Sequence, residues 1–321
     1  MYRWIRGIYG FDYMGHKKWW FLMSSIIIGA GIVSLLVRGG GNPIDGLHYG
    51  LEFKSGTRIT VEFATKPSIA DVRAVMAQQG LGDAVIQETT GKGGKSSVQI
   101  QTATLTPAKE QAVRKALDKA FTIASGGSAY ASESVGATFG KGVITASYKA
   151  VGLVFLLILI YITFRFEWKF ALGAVAAEAH DLLIVVGVYS LVGREVTTAS
   201  VAAVLTILGY SLYDTVIVFD RIRENSPRMR GMRYADMVNR SIWETLTRSI
   251  NTTLTVLLPV ICLLAFGGAT LKDFAFALLV GILSGAYSSI FVASPIATIL
   301  KEREPQYRKV IDRAARAQES Q

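Results

Sequence analysis

Six long apolar blocks constrain the fold of this chain more than any other feature of its sequence. A helix of about 20 apolar residues crosses the ~30 Å hydrocarbon core of a bilayer, so blocks of this kind predict transmembrane helices. The six blocks are Trp19–Val37, Ala150–Phe164, Phe170–Leu191, Ala199–Phe219, Thr252–Phe266 and Phe274–Leu300. The chain is therefore predicted to be a multi-span α-helical membrane protein.

The basic residues predict how the six spans are oriented. The formal net charge is +10, and six spans place both termini on one side of the membrane. Nineteen Lys and Arg residues share that side, in the segments 1–18, 165–169, 220–248 and 301–321. Only Arg194 and Lys272 lie in the two short loops opposite. By the positive-inside rule both termini are cytoplasmic and the segment 38–142 is extracytoplasmic. The charge thus reports topology, and no nucleic acid partner is predicted.

The two ends of this topology carry expectations of their own. Residues 1–18 mix aromatic and basic side chains, which is typical of an interfacial segment next to membrane lipids; a disordered basic tail is the alternative. The first block is too long for the apolar core of a signal peptide, so it is predicted to be an uncleaved anchor. The single cysteine, Cys262, permits no internal disulfide.

The extracytoplasmic segment alternates strand and helix signals. Alternating apolar residues in 57–65 predict a half-buried strand. Ser68 and Thr106 are each placed to cap a helix, and Thr106 is followed by Pro107. Further strands are predicted over residues 84–89, 97–102 and 130–135, with GKGGK (91–95) as the turn between the first two. The order β-α-β-β-α-β predicts a small α+β domain of the ferredoxin-like, split βαβ type.

Neither a phosphate-binding loop nor a histidine metal site is predicted from this sequence. Gly94-Lys95-Ser96 resembles the end of a phosphate-binding loop, but Thr89 stands where the motif needs its first glycine, and both flanks are strands. The three histidines, His16, His48 and His180, are scattered and form no metal-ligand spacing. No metal, cofactor or chemical catalysis is expected, and protons are the only coupling ion considered.

An acidic residue within the fourth block is the principal functional candidate. A carboxylate in a spanning helix costs roughly 2.5–3.5 kcal/mol on insertion scales, so Asp214 requires an explanation. Thr206, Tyr210 and Asp214 recur at intervals of four, and Ser211 and Tyr213 flank them. Such a polar stripe on an apolar helix is predicted to face the interior of a bundle or a wet cavity.

Arg248, at the start of the fifth span, lies at a depth similar to that of Asp214, which favours an ion pair between them. Two interpretations stay open. Asp214 takes up and releases protons and thereby frees Arg248, or the pair is static and fixes helix order. His180 and Asp181 in the third span are weaker candidates for a proton relay, because adjacent residues point to different helix faces. Glu178 has no assigned role.

The sixth span carries a stripe of small residues. Gly281, Gly285 and Ser289 lie four residues apart, so they share one helix face. Small residues at this spacing let two transmembrane helices approach closely. This face is therefore predicted to be a helix-packing surface.

Motifs along nearly the whole chain resemble the SecD/SecF family of the resistance-nodulation-division (RND) superfamily. The matching segments are GLEFKSGT (50–57), RFEWKFALGA (165–174), HD (180–181), GYSLYDTVIVFDRIREN (209–225), NRSIWETLTRSINTT (239–253) and VGILSGAYSSIFVASPIA (280–297). Four positions depart from the usual family pattern: Glu52 stands for Asp, Ser55 for Gly, Ala137 for Pro and Tyr213 for Asn.

The resemblance implies an accessory subunit of the Sec preprotein translocase in the bacterial cytoplasmic membrane, not an enzyme. It implies that the chain acts with SecD, the SecYEG channel, the ATPase SecA and preprotein substrates, and that the proton gradient drives export. It also implies that Asp214 carries the proton and that Arg248 is its basic partner. The alternatives are an RND-type half-transporter for lipids or small molecules, and a purely structural scaffold subunit.

Overall fold

A computed structural model describes residues 10–65, 67–90, 96–124, 129–228, 232–305 and 307. The predicted 91–95 turn, residues 1–9 and most of the basic tail lie outside the described residues. The chain divides into two compact units. One unit consists of the residues before 49 together with those after 147, and the other consists of residues 49–147.

The elements alternate between long helices and one α+β region. In chain order they are α1 (Lys17–Arg38), β1 (His48–Tyr49), α2 (Leu51–Lys54), β2 (Gly56–Glu62), α3 (Ile69–Gln78), β3 (Val85–Thr90), β4 (Ser96–Thr102), α4 (Pro107–Phe121), β5 (Tyr130–Val135), α5 (Ala137–Arg165), α6 (Trp168–Val192), β6 (Glu195–Val196), α7 (Thr198–Arg228), α8 (Tyr234–Phe266), α9 (Ala269–Ser288), a π-helical turn (Ser289–Ala293) and α10 (Ser294–Glu302).

Six helical rods in the described part of the chain are long and apolar enough to cross a membrane: α1, α5, α6, α7, α8 and the continuous rod over residues 271–302. Their most apolar windows have mean hydropathies of 1.7 to 2.3. The predicted fold class, six spans with an α+β region between the first and second, is confirmed.

The second span is longer than its apolar block. Helix α5 begins at Ala137 rather than at residue 150, so the semi-polar stretch before the block is helical. Thr145 and Ser147 donate their hydroxyl protons to the carbonyl oxygens of Lys141 and Val143, one turn back. Because these polar side chains are satisfied by their own helix, the helix extends beyond the residues that hydropathy marks.

The predicted connection between the fourth and fifth spans, residues 220–248, is helical over most of its described length. Helix α7 continues to Arg228, and α8 begins at Tyr234. Glu224 accepts from Arg221 at 2.6 Å and from Arg228 at 2.8 Å, at spacings of three and four residues. Ion pairs at this spacing support helix outside the apolar stretch.

The segment before α1 packs against α8. The backbone N–H of Met14 donates to Asn239 Oδ1 at 2.9 Å, and Asn239 Nδ2 donates to Asp12 Oδ1 at 2.6 Å. Trp243 Nε1 donates to the carbonyl oxygen of Phe11 at 3.1 Å. The described part of the N-terminal segment is therefore ordered by side chains of α8.

The α+β unit contains a four-stranded antiparallel sheet in the order β3-β4-β2-β5. Strand β2 pairs with β4 in the register Ile59–Ile100 and with β5 in the register Ile59–Ser132. This is the split βαβ topology that the order of elements predicts. Its apolar core joins sheet and helices and includes Ile59, Val61, Val72, Met76, Ile100, Val113 and Leu117.

A strained residue precedes β2. Ser55 has φ 59° and ψ 165°, a conformation essentially confined to glycine. The next residue, Gly56, has φ 129°, and a Cβ there would lie 2.5 Å from the carbonyl oxygen of Thr102. Strain of this kind costs on the order of 1–3 kcal/mol. The departure of Ser55 from the family's glycine thus falls where the backbone favours glycine.

Helix α1 approaches α6 through a pair of glycines. A Cβ built on Gly31 would lie 2.6 Å from the Cα of Gly187, whereas a Cβ on Gly29 would meet no atom within 4 Å. Backbone, unlike the end of a flexible side chain, cannot move aside without displacing a helix. The close approach of these two spans therefore depends on Gly31.

Replacing Gly31 with Val is expected to destabilise the bundle by about 1–3 kcal/mol, because the added atoms overlap the backbone of α6. Thermal unfolding of the purified chain in detergent measures the effect. The matched control is Gly29→Val, which faces open space in the same helix. Equal melting temperatures for the two variants would contradict the proposed close contact.

Candidate functional site

A buried carboxylate on α6 gathers donors from three helices. Asp181 has no exposed surface. Its Oδ1 accepts from Ser284 Oγ at 2.6 Å and from His180 Nδ1 at 3.1 Å. Its Oδ2 accepts from Ser211 Oγ at 2.7 Å and from Ser288 Oγ at 2.8 Å. Four donors compensate the loss of hydration around this charge.

His180 extends this network towards α1. Its Nε2 lies 3.0 Å from Ser24 Oγ, which in turn lies 3.1 Å from the hydroxyl of Tyr287. Tyr287 donates to the carbonyl oxygen of Trp20 at 2.9 Å. His180 and Asp181 do face different helices, as adjacent residues are expected to: His180 contacts α1, whereas Asp181 contacts α7 and α9. The two side chains nevertheless contact each other, and both are buried.

Asp214 lies on the same face of α7 as Ser211, three residues further along the chain. Only 1% of its surface is exposed. Its Oδ1 accepts a long hydrogen bond of 3.5 Å from Ser249 Oγ, and its Oδ2 has no hydrogen-bond partner. Compared with Asp181, this carboxyl group has little stabilisation for a negative charge.

Within the described bundle, Asp214 and Arg248 do not form the predicted ion pair. Arg248 is exposed and donates from Nη2 to the hydroxyl of Tyr213 at 2.8 Å. The two side chains lie on different sides of their helices: Asp214 faces inward, whereas Arg248, like Tyr213, lies on the outer surface of the chain. Tyr213, one of the four residues that depart from the family pattern, accepts the hydrogen bond from Arg248.

The rest of the predicted polar stripe divides in the same way. Tyr210 places its hydroxyl in the interior, where its neighbour is the hydroxyl of Thr253 on α8. Thr206 is exposed and donates to the carbonyl oxygen of Ala202 in its own helix. The structure thus brings Tyr210, Ser211 and Asp214 into the bundle and leaves Thr206 and Tyr213 outside.

The stripe of small residues lies against α7. A Cβ on Gly281 would come 2.2 Å from Ile207 Cδ1, and one on Gly285 would come 2.9 Å from Ser211 Cβ. Ser289 Oγ lies 2.9 Å from Thr215 Oγ. These contacts let α9 approach the helix that carries Ser211 and Asp214.

The π-helical turn over 289–293 follows directly after the serines that contact Asp181. A π turn widens the helix by one residue and is often found at functional sites. Here the carbonyl oxygen of Ala293 lies where a Cβ on Gly173 would come within 2.8 Å. The last span therefore changes its phase where it packs on α6.

The sequence pattern did not single out Ser24, Ser249, Ser284 or Ser288. Ser284 and Ser288 are spaced by four residues within one of the family-like motifs, which was the available signal. Serine in a transmembrane helix usually bonds its own backbone, so spacing alone does not separate structural from site residues. Across the described ranges, no group of three or more His, Cys, Asp or Glu residues could hold a metal ion.

Comparison with known proteins places this geometry in a family. The family described as "Protein export membrane protein SecD/SecF, C-terminal" matches residues 115–303, and the SecD/SecF GG motif matches residues 43–66. The chain belongs to the SecD/SecF family. The family expectation, an export function rather than a chemical catalyst, is confirmed, and so is the multi-pass membrane character.

Individual SecF proteins are similar over most of the chain. The protein translocase subunit SecF of Streptomyces coelicolor is 38% identical, with 97% of this chain and 83% of that protein covered. The SecF of Magnetococcus marinus is 39% identical, with 90% and 92% covered. The crystal structure of SecDF from Thermus thermophilus superimposes with a TM-score of 0.77 at 33% identity, and covers 91% of this chain. This chain spans only 39% of that SecDF chain.

Removing a donor from Asp181 is expected to lower the free energy of unfolding. Ser288→Ala leaves a buried carboxylate with one hydrogen bond fewer, which costs about 1.5–3 kcal/mol for a bond to a charged group. Thermal unfolding of the purified chain in detergent reports the loss. Thr206→Ala serves as the control, since that hydroxyl is exposed and bonds its own helix. A Ser288→Ala melting temperature no lower than that of Thr206→Ala would contradict the role of this hydrogen bond.

Proposed function

We propose that this chain is the SecF subunit that couples a proton gradient to preprotein export, and that Asp214 is its proton-carrying group. The observation that supports the role of Asp214 is its environment: it is almost completely buried, and one oxygen has no partner. A carboxyl group so placed is stabilised when it takes up a proton and destabilised when it loses one. Proton uptake and release at Asp214 then change the packing of α7 against α8.

Arg248 takes part from the outer surface of α8. It lies one residue before Ser249, the residue that contacts Asp214, and it donates to Tyr213, the residue before Asp214. An arginine at membrane depth requires a polar partner, because lipid provides none. Movement of α7 against α8 alters the Tyr213–Arg248 contact and the carboxyl contact together, and so links the interior to this surface.

The exposed face around Arg248 supports a second transmembrane polypeptide as partner. On α8 the exposed polar residues Arg248, Asn251 and Thr255 recur at helical spacing, and on α7 Thr206 and Tyr213 are exposed. Polar groups left against lipid are costly. The SecDF protein continues well beyond the part that this chain matches. The proposed occupant of this face is therefore a SecD-like polypeptide.

The remaining assignments follow from topology and family. Both termini lie in the cytoplasm, and the α+β region at residues 38–142 lies outside the bacterial inner membrane, where an emerging preprotein is accessible. SecYEG and SecA are the remaining proposed partners. The distribution of Lys and Arg supports this orientation.

Asp214→Asn is expected to abolish stimulation of export by a proton gradient while leaving the ATP-driven component intact, because the amide cannot take up or release the proton. The measurement is preprotein translocation into inverted membrane vesicles, with and without a gradient. Asp220→Asn is the matched control, since Asp220 lies on the same helix but in an exposed ion pair with Arg165 and Arg223. Full gradient stimulation in Asp214→Asn vesicles, at wild-type abundance, would show that the carboxyl group is static.

The partner face is tested by photo-crosslinking. A photoreactive amino acid at Thr255 is expected to yield a crosslink to the co-expressed, tagged SecD-like protein, because this polar face is covered by it. Leu153 is the control position, as it is 54% exposed on the apolar surface of α5. A crosslink from Leu153 and none from Thr255 would place the partner elsewhere.

A further inference from the structure

Glu178 is a second intramembrane carboxyl group whose environment is the opposite of that of Asp181. It lies on α6 with no exposed surface. The hydroxyl of Ser211 neighbours Glu178 but donates its proton to Asp181, so neither carboxyl oxygen of Glu178 receives a well-formed hydrogen bond. Within the described part of the chain, Glu178 forms no ion pair. An ionised carboxylate buried in this way carries an uncompensated penalty of several kcal/mol. The neutral acid avoids most of this penalty.

Glu178 and Asp181 occupy the same face of α6. Residues three apart on a helix have Cβ atoms about 5–6 Å apart. Asp181 accepts from Ser284, His180, Ser211 and Ser288. Of two neighbouring carboxyl groups, the one with four donors keeps the negative charge, and the one with none keeps the proton.

The other charged groups near this pair are few. The helices packed against α6 are α1, α7, α9 and α10. Away from their ends, the acidic and phenolic side chains that these helices carry are Tyr210, Tyr213 and Asp214 on α7 and Tyr287 on α9. The charged residues of α1 and α10, Lys272 and Asp273 of α9, and the charged residues of α7 from Asp220 to Arg228 lie at or near the helix ends. The pair is therefore isolated from basic side chains other than His180.

We propose that Glu178 and Asp181 form a proton-sharing pair, in which Glu178 holds the proton at rest and Asp181 holds the charge. The exchange passes through the hydroxyl of Ser211, which donates to Asp181 Oδ2 at 2.7 Å and also neighbours Glu178. The O–H bond of Glu178 breaks as an O–H bond forms on Ser211 Oγ, and the original Ser211 proton passes to Asp181. The negative charge moves from Asp181 to Glu178, and the site retains one exchangeable proton and one charge throughout.

The exchange changes helix packing because the donors to Asp181 lie on other helices. Ser211 belongs to α7, and Ser284 and Ser288 belong to α9. When Asp181 is protonated, these hydroxyls lose an anionic acceptor, and bonds to charged groups are roughly twice as strong as neutral ones. Ser211 is also three residues from Asp214, so the pair is connected to the proposed proton site. The resting protonation of Glu178 does not depend on the proposed function, whereas its part in coupling rests on that function.

Infrared spectroscopy of the purified full chain in lipid at neutral pH tests the resting state. The spectrum of the wild type minus that of Glu178→Gln is expected to show the carbonyl stretch of a protonated acid, shifted in heavy water. The same band should persist in Asp181→Asn. A difference spectrum that shows only an ionised carboxylate, or a protonated band that disappears in Asp181→Asn but remains in Glu178→Gln, would overturn the assignment.

A second measurement keeps the test valid if Glu178→Gln does not fold. In the unmodified chain, labelling of glutamate side chains with ¹³C should shift a protonated-acid band, whereas aspartate labelling should leave that band in place. Absence of any glutamate-derived protonated band overturns the proposal.

The coupling role is tested in vesicles containing the complete translocase. Glu178→Gln is expected to reduce gradient-driven export several-fold at wild-type abundance, because the amide can neither hold nor release the proton. Asp214→Asn is measured in parallel. If Asp214→Asn loses gradient stimulation and Glu178→Gln retains it, the pair has no part in coupling while the proposed function stands. If both variants retain it, the proposed function fails as well.

Discussion

The bundle depends on the satisfaction of one buried negative charge. Asp181 cannot be reached by water, so its charge requires donors from the protein, and these come from α6, α7 and α9. The serine donors fix the positions of α7 and α9 relative to α6. The same hydrogen bonds that stabilise the carboxylate therefore determine how three spans pack. Such a network stabilises the bundle only when every member has a partner.

Close helix packing is the condition for that network. The side chain of serine is short, so α9 must approach α7 closely before Ser211 and Ser288 can donate to the same carboxylate. Gly285 permits this approach because a Cβ there would lie 2.9 Å from the Cβ of Ser211. The π-helical turn then shifts the phase of the last span, so that the residues beyond it pack on α6 near Gly173. Glycine placement and polar chemistry act together in this part of the molecule.

Much of the architecture followed from the sequence because it rests on hydropathy and local periodicity. Six apolar blocks and one β-α-β-β-α-β pattern led to the correct fold class, and Asp214 was identified from its cost in an apolar helix. The partner of Arg248 was not predictable, since helix depth gives no information on rotation about the helix axis. Asp181 was undervalued because its donors come from residues 30 and more than 100 positions away in the chain. A π turn has no recognised signal in local sequence.

The attachment of the N-terminal segment to α8 has a mechanical consequence. Asp12 and Met14 are bonded to Asn239, and only two residues separate Met14 from the start of α1. Hydrogen bonds to Asn239 thus connect the first and fifth spans at one end. In the sequence, 195 residues separate the end of α1 from the start of α8. A displacement of α8 along its axis therefore also displaces the adjoining end of α1, so the two spans move together rather than independently.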